Sequence, residues 1–144
     1  MKLLKIKTEK MFTSLEQECR DYVRDSLLNN VNKNGMLNIY CQHTTAGILI
    51  YEPELLLLAD TKDAIERFAP SNGEYRHDYV DLREVPLNER VNGHSHIKSL
   101  LTMPSVNIPI INGELALGKW QVPFLVELDP IRERNVILSI CNTL

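Results

Sequence analysis

His43 in Gln-His-Thr-Thr, His77 in Tyr-Arg-His-Asp and His96 in His-Ser-His-Ile-Lys lie far apart in the chain, each beside short polar or charged neighbours. The fourth histidine, His94, precedes His96 by two positions. A catalytic zinc site takes three nitrogen or oxygen ligands and keeps one position open for water or substrate. Imidazoles from three segments could supply such a set, for zinc or another divalent transition metal. The same rings could also be half-buried side chains that hydrogen-bond locally. Residues two apart in a helix point about 200° from each other, because each residue turns the chain by about 100°. Ile97, Leu100 and Leu101 suggest a helical turn starting near Ser95, so His96 rather than His94 is expected to face the site.

Other groups could complete the chemistry. Glu52 and Asp78 are the carboxylates best placed in sequence to move protons or to fix the tautomer of a ligand histidine. Lys98 and Ser99 follow His96 near a helix start, where free amides also gather, and could hold an anion; a solvated lysine on a turn reads equally well. Arg132 and Arg134 could grip a phosphate bidentately or be surface charge. Trp120-Gln121 could line a pocket with one apolar wall and one polar contact, or Trp120 could pack in the core. A small phosphate-bearing molecule or other anion is the expected substrate class.

The elements that must position these residues can be read from periodicity. Residues 3 to 8 alternate as a half-buried strand. Thr13 or Ser14 is expected to cap a helix, Thr13 and Glu16 having capping-box spacing. Leu15, Cys19, Tyr22, Val23 and Leu27 then form one apolar stripe. Leu37, Ile39, Cys41 and His43 recur with period two, which puts His43 at the far end of a strand. Ile48 to Ile50 reads as another strand. Pro53 suits the first turn of a second helix, with Ile65 and Phe68 inward and Pro70 stopping it.

Ala69 to Gly93 is long, polar and irregular, as functional loops often are. Val106, Ile108 and Ile110 surround Pro109, which points to an edge strand or a bulge. Asn112-Gly113 marks a hairpin turn, and Val122 to Leu128 and Val136 to Ile140 are two further strands. Early helices followed by many antiparallel strands give an α+β fold: mainly an antiparallel β-sandwich with two or three flanking helices.

Composition narrows the classes. The 144 residues suit a single domain, 1–144. A net charge of −3 with both signs mixed argues against a basic nucleic-acid surface. No apolar run approaches membrane-spanning length, and the Met-Lys-Leu-Leu-Lys-Ile-Lys start lacks a continuous signal-peptide core. A cytoplasmic protein with no membrane and no nucleic-acid partner is expected. Cys19, Cys41 and Cys141 have no paired spacing and each reads as a small buried residue.

The ordered segments resemble the YjbQ family, also called secondary thiamine-phosphate synthases. The resemblance rests on Gln42-His43-Thr44-Thr45-Ala46-Gly47-Ile48-Leu49-Ile50 with Glu52, on Tyr75-Arg76-His77-Asp78, and on Ser95-His96-Ile97-Lys98-Ser99. Asn112-Gly113, Leu117-Gly118-Lys119-Trp120-Gln121 and Phe124-Leu125-Val126-Glu127 extend it over nearly the whole chain. The resemblance implies a β-sandwich that packs as a homotrimer and a metal pocket formed by His43, His77 and His96. It also implies a weak, secondary thiamine-phosphate synthase activity, joining hydroxymethylpyrimidine diphosphate to thiazole phosphate. In the enzyme reading Glu52 or Asp78 moves protons and Lys98 and Gln121 orient the anion. Metal-assisted chemistry on a small phosphate-bearing or carboxylate substrate, hydrolysis included, ranks above the named synthase reaction. A non-catalytic trimer that binds a metal or metabolite is the alternative. The chain departs from the family pattern at Tyr51, Thr102, Lys119 and in Asp129-Pro130-Ile131-Arg132.

Overall fold

The computed structural model describes residues 1–86 and 88–142, with the side chain of residue 142 left out. The irregular stretch and the single-domain reading therefore extend over residues 87, 143 and 144, which lie outside the described ones. Strand β1 (Lys2–Lys7) and short β2 (Phe12–Ser14) precede helix α1 (Glu16–Leu27). Strands β3 (Gly35–Cys41) and β4 (Ala46–Tyr51) lead to α2 (Leu55–Phe68), two 3-10 turns (Arg76–Asp78 and Val80–Leu82) and α3 (Gly93–Lys98). A 3-10 turn, Ser99–Leu101, then runs into β5 (Ser105–Ile111), β6 (Glu114–Leu115), β7 (Val122–Glu127) and β8 (Glu133–Asn142).

The strands form two antiparallel sheets, ordered β1-β8-β3-β5-β6 and β2-β7-β4. This is the expected α+β sandwich. The larger cluster joins Leu37 and Ile39 of β3, Val136 and Leu138 of β8, Ile48 of β4 and Leu125 of β7 to the α1 stripe of Leu15, Cys19, Val23 and Leu27. Period-two alternation sends Val122, Phe124 and Val126 of β7 the other way, against Phe12, Ile65 and Leu58. The layers are thus large sheet with α1, small sheet, then α2. Strand β7 is covered on both faces, which is why all six of its residues are buried.

Several local readings are corrected. Thr13 does not cap α1, because its segment is drawn into β2 and paired with Leu125 of β7. Leu15 stands at the N-cap without a side-chain cap bond, and Ser14 Oγ accepts the Glu16 amide at 3.2 Å. Pro53 lies outside α2; Glu54 caps that helix by accepting the Leu56 and Leu57 amides at 2.7 Å each. That carboxylate satisfies two of the four free amides at the helix start. Phe68 is exposed while Ile65 faces the core, and Cys141 is exposed while Cys19 and Cys41 are buried.

Pro109 sits in β5 opposite Met36 of β3, and its carbonyl accepts the Ala116 amide at 2.8 Å. A strand residue's amide and carbonyl point to the same side. The missing Pro109 donor therefore falls on the side of two-residue β6, where the ladder is already ending. The Asn112-Gly113 turn forms as expected, with φ of 55° and 85°. Met103 exchanges backbone hydrogen bonds with Ile48, tying the end of the α3 segment to β4. At that seam a Cβ on Gly47 would stand 2.1 Å from Thr102 Oγ1, so the approach requires glycine. No described helix is long and apolar enough to cross a membrane.

Candidate functional site

His43 emerges just beyond β3, and its Nε2 accepts the Asn135 amide at 2.8 Å. A neutral ring that accepts at Nε2 carries its proton on Nδ1. Burial is the main force lowering the His43 pKa, and the Arg134 cation adds to it. His77 sits in the 3-10 turn Arg76–Asp78, where its carbonyl accepts Arg83 Nη1 at 2.6 Å. His96 lies on α3, its ring centroid 4.5 Å from that of His77. Burial and then His77 lower the His96 pKa as well. Both His43 and His96 therefore favour the neutral form more than a free imidazole does.

Asp78 brings the second and third histidines together. Its Oδ1 accepts the amide of Gly93, the first residue of α3, at 2.8 Å. A Cβ on Gly93 would stand 2.5 Å from the Cβ of Tyr75, so the turn can press this close only against glycine. Ser95 Oγ fixes the same helix to the Leu128 carbonyl at 2.5 Å. The helix starts at Gly93, two residues earlier than expected from the sequence, and separates His94 from His96 as its pitch requires. His96 lines the histidine cleft, and His94 lines another.

The histidine cleft has a volume of about 380 Å³ and is lined by His43, His77, His96, Arg83, Arg132 and Arg134, with Asn92 and Glu89 among its other walls. Arg134 is 2% exposed and paired with buried Glu127, and its Nη2 also donates to Thr45 Oγ1 at 3.0 Å. Burial pushes the Glu127 carboxyl up, but hydrogen bonds from Arg134, Thr8 and the Asp129 amide outweigh it and hold the carboxyl below its ordinary value. Asp129 behaves alike: burial raises it, while the Asn92 amide and Arg132 lower it further. Arg132 donates to Asp129 Oδ2 at 2.7 Å, and Asn92 Nδ2 to the same oxygen at 2.8 Å.

The sequence-derived site residues divide accordingly. His43, His77 and His96 share one cleft. Asp78 supports it from behind through Gly93. Lys98 turns away, to Glu66 Oε2 at 2.5 Å and Ser71 Oγ at 2.9 Å. Gln121 Oε1 accepts the Gly118 amide at 2.8 Å within its own turn, and Glu52 lies half-buried just past β4; neither lines the histidine cleft. Trp120 is 59% exposed, with Lys119 Nζ 4.6 Å from its ring centroid, so it belongs neither to the core nor to this cleft. Arg83 was not signalled by any motif; it is one polar residue in a long polar stretch. Arg132 and Arg134 carried the signal of two cations flanking Glu133.

A three-ligand metal centre needs three lone pairs that converge. Among the described residues, no group of three His, Cys, Asp or Glu side chains is close enough to hold one ion. The Nε2 lone pair of His43 is engaged by the Asn135 amide. As arranged, His77 and His96 could meet a common cation, and the residues do not fit the full three-imidazole set.

The profile of the family described as "UPF0047 protein YjbQ-like" matches residues 2–143. A UPF0047 protein of Methanothermobacter thermautotrophicus is 35% identical over 110 residues, covering 76% of this chain and 71% of its own. The Bacillus subtilis UPF0047 protein YugU is 30% identical, with 96% and 97% covered. The crystal structure of an uncharacterised yjbq/upf0047-family protein from Clostridium acetobutylicum superposes with a TM-score of 0.82 at 30% identity, over 98% of this chain and all of that one. With profile, relatives and fold in agreement over nearly its full length, the chain belongs to the YjbQ-like UPF0047 family.

Proposed function

We propose that the histidine cleft binds a small phosphate-bearing molecule and acts on it with its imidazoles. The supporting observation is one cleft lined by three histidines from distant segments together with three arginines. Arg83 and Arg132 contribute charge-assisted donors for phosphate oxygens. The imidazole N–H groups of His77 and His96 donate to the charge that develops on a leaving group. Among specific reactions, the candidate is thiamine-phosphate synthesis. There the thiazole nitrogen forms a bond to the pyrimidine methylene carbon, the carbon–oxygen bond breaks, and pyrophosphate leaves with the electron pair. Purified protein supplied with both precursors is expected to yield thiamine phosphate above a His43→Ala control. Yield equal to that control removes the synthase reading. Loss of pyrophosphate binding in Arg83→Gln, measured by calorimetry, tests the anion site separately.

A metal-binding reading rests on the 4.5 Å contact between His77 and His96. Zinc or another divalent transition metal would take those two imidazoles, with oxygen ligands from water or substrate completing its shell. His43 could join only by giving up the Asn135 amide. Elemental analysis of untagged protein should then find close to one metal per chain; metal-free protein rejects this reading. A cytoplasmic homotrimer completes the proposal. The exposed apolar residues Leu100 and Met103, after α3, support assembly. Light scattering that returns the mass of a single chain would reject the trimer.

A further inference from the structure

We propose that the cleft on the opposite side of α3 is a second ligand site, for a small molecule with an apolar body and a single carboxylate head. This inference does not depend on the chemistry of the histidine cleft. Residues four apart on a helix share a face, so His94 and Lys98 point together, away from His96. Both line a cleft of about 620 Å³, within the size range of small-molecule pockets. Its walls include Met11 just before β2, Phe12 of β2, Leu55 and Leu58 of α2, and Leu128. Glu127 borders this cleft while its partner Arg134 borders the histidine cleft, so their ion pair and α3 form the partition between the two.

The polar end of the cleft asks for an anion. Lys98 is 3% exposed, and its ammonium donates to Glu66 and Ser71. An ammonium has three donors, and the third has no acceptor among the described residues. Lys10 and Lys62 also border the cleft, and neither makes an ion pair among the described residues. Of the bordering acids, Glu127 is engaged by Arg134 and Thr8, and Glu66 by Lys98 and Ser71, which leaves Glu9. A cationic head would meet this lysine excess and be repelled. Burial, and then Lys98, favour the neutral form of His94, so its ring adds apolar surface near the head.

Sodium octanoate is the probe, titrated into the full chain and followed by amide NMR shifts. Saturable shifts are expected at Leu58, His94 and Lys98. Octanol and acetate, which each lack one half of the ligand, are expected to bind at least about tenfold more weakly. Lys98→Met should weaken octanoate by at least about tenfold, and Ala59→Trp, which fills the cleft from an exposed helix position, by a similar factor. His43→Ala should leave octanoate binding unchanged, which separates this site from the other. Absence of saturation overturns the proposal, as does octanol binding as tightly as octanoate, or wild-type affinity in Ala59→Trp. A cleft covered instead by a second copy of the chain would give no saturation, together with an Ala59→Trp variant of reduced mass in solution, and that also overturns it.

Discussion

At the histidine cleft both partners of the Glu127–Arg134 pair are about 2% exposed, whereas in the apolar cleft Lys98 is buried but the Glu66 side chain is 47% exposed. The first pair is buried at both ends and hydrogen-bonded further through Thr8, Thr45 and the Asp129 amide. The second has one end in water. A sealed pair cannot exchange partners without leaving a charge in low dielectric, so it holds the wall of a site rigidly. A half-exposed pair can release its carboxylate to solvent at little cost and take another anion in its place. A buried cation paired with a glutamate thus acts as a fixed wall on one side of α3, where it is Arg134, and as an exchangeable contact on the other, where it is Lys98.

The comparison breaks most visibly at Arg134. Arg134→Met strands Glu127 without its cation, and a loss of ~3–5 kcal/mol in urea unfolding is expected. Lys98→Met removes the corresponding cation of the other cleft and should cost no more than about 1 kcal/mol, because Glu66 turns to water. Equal losses in the two variants would erase the distinction. Between these falls Asp78→Ala, which removes a charged acceptor from the Gly93 amide and should cost ~1.5–3 kcal/mol. It should also shift the His77 and His96 ring resonances, since it frees the turn that presses them together. Unmoved rings would mean that Asp78 does not position them.

The smallest expected effect is the pH dependence. His43, His94 and His96 all have folded pKa values below their ordinary value. The unfolded chain therefore binds more protons near pH 6, and stability rises with pH through that window. Their contribution is complete above about pH 6.5 and is lost as pH falls through the lower folded values. Glu127 and Asp129, also lowered, contribute above the ordinary carboxylate range and lose that contribution further down. The urea midpoint should decline in two stages on acidification, and His43→Gln should flatten the first. The Glu66 carboxyl, held down to about 2 chiefly by its bond from Lys98 and further by Ser71, should rise in Lys98→Met when titrated by NMR while staying below the ordinary range through its Ser71 bonds.

The strands and helices with one apolar face could be read directly from sequence. The α1 stripe, the alternation that carries β3 toward His43 and the Asn112-Gly113 turn all follow from local periodicity or turn chemistry. The division between His94 and His96 followed from helix pitch. What escaped depends on pairing between distant segments. Thr13 has the spacing of a cap, but pairing with β7 outweighs it. Lys98 reads as an anion holder or a solvated lysine, and Arg134 as a phosphate grip or surface charge, because nothing local shows that Glu66, Ser71, Thr45 and Glu127 will close around them. The three histidines could be named, but the Asn135 amide that engages His43 comes from 92 residues away.

The contact of Gly47 with Thr102 gives a single hydrogen atom an outsized role. One methyl there would push Thr102 and Met103 from β4, and with them the helix upstream whose two sides serve separate compartments. A substitution remote from every imidazole and every lysine discussed would then loosen both at once. Anyone seeking to couple or uncouple the two compartments has a single packing contact to work on at position 47.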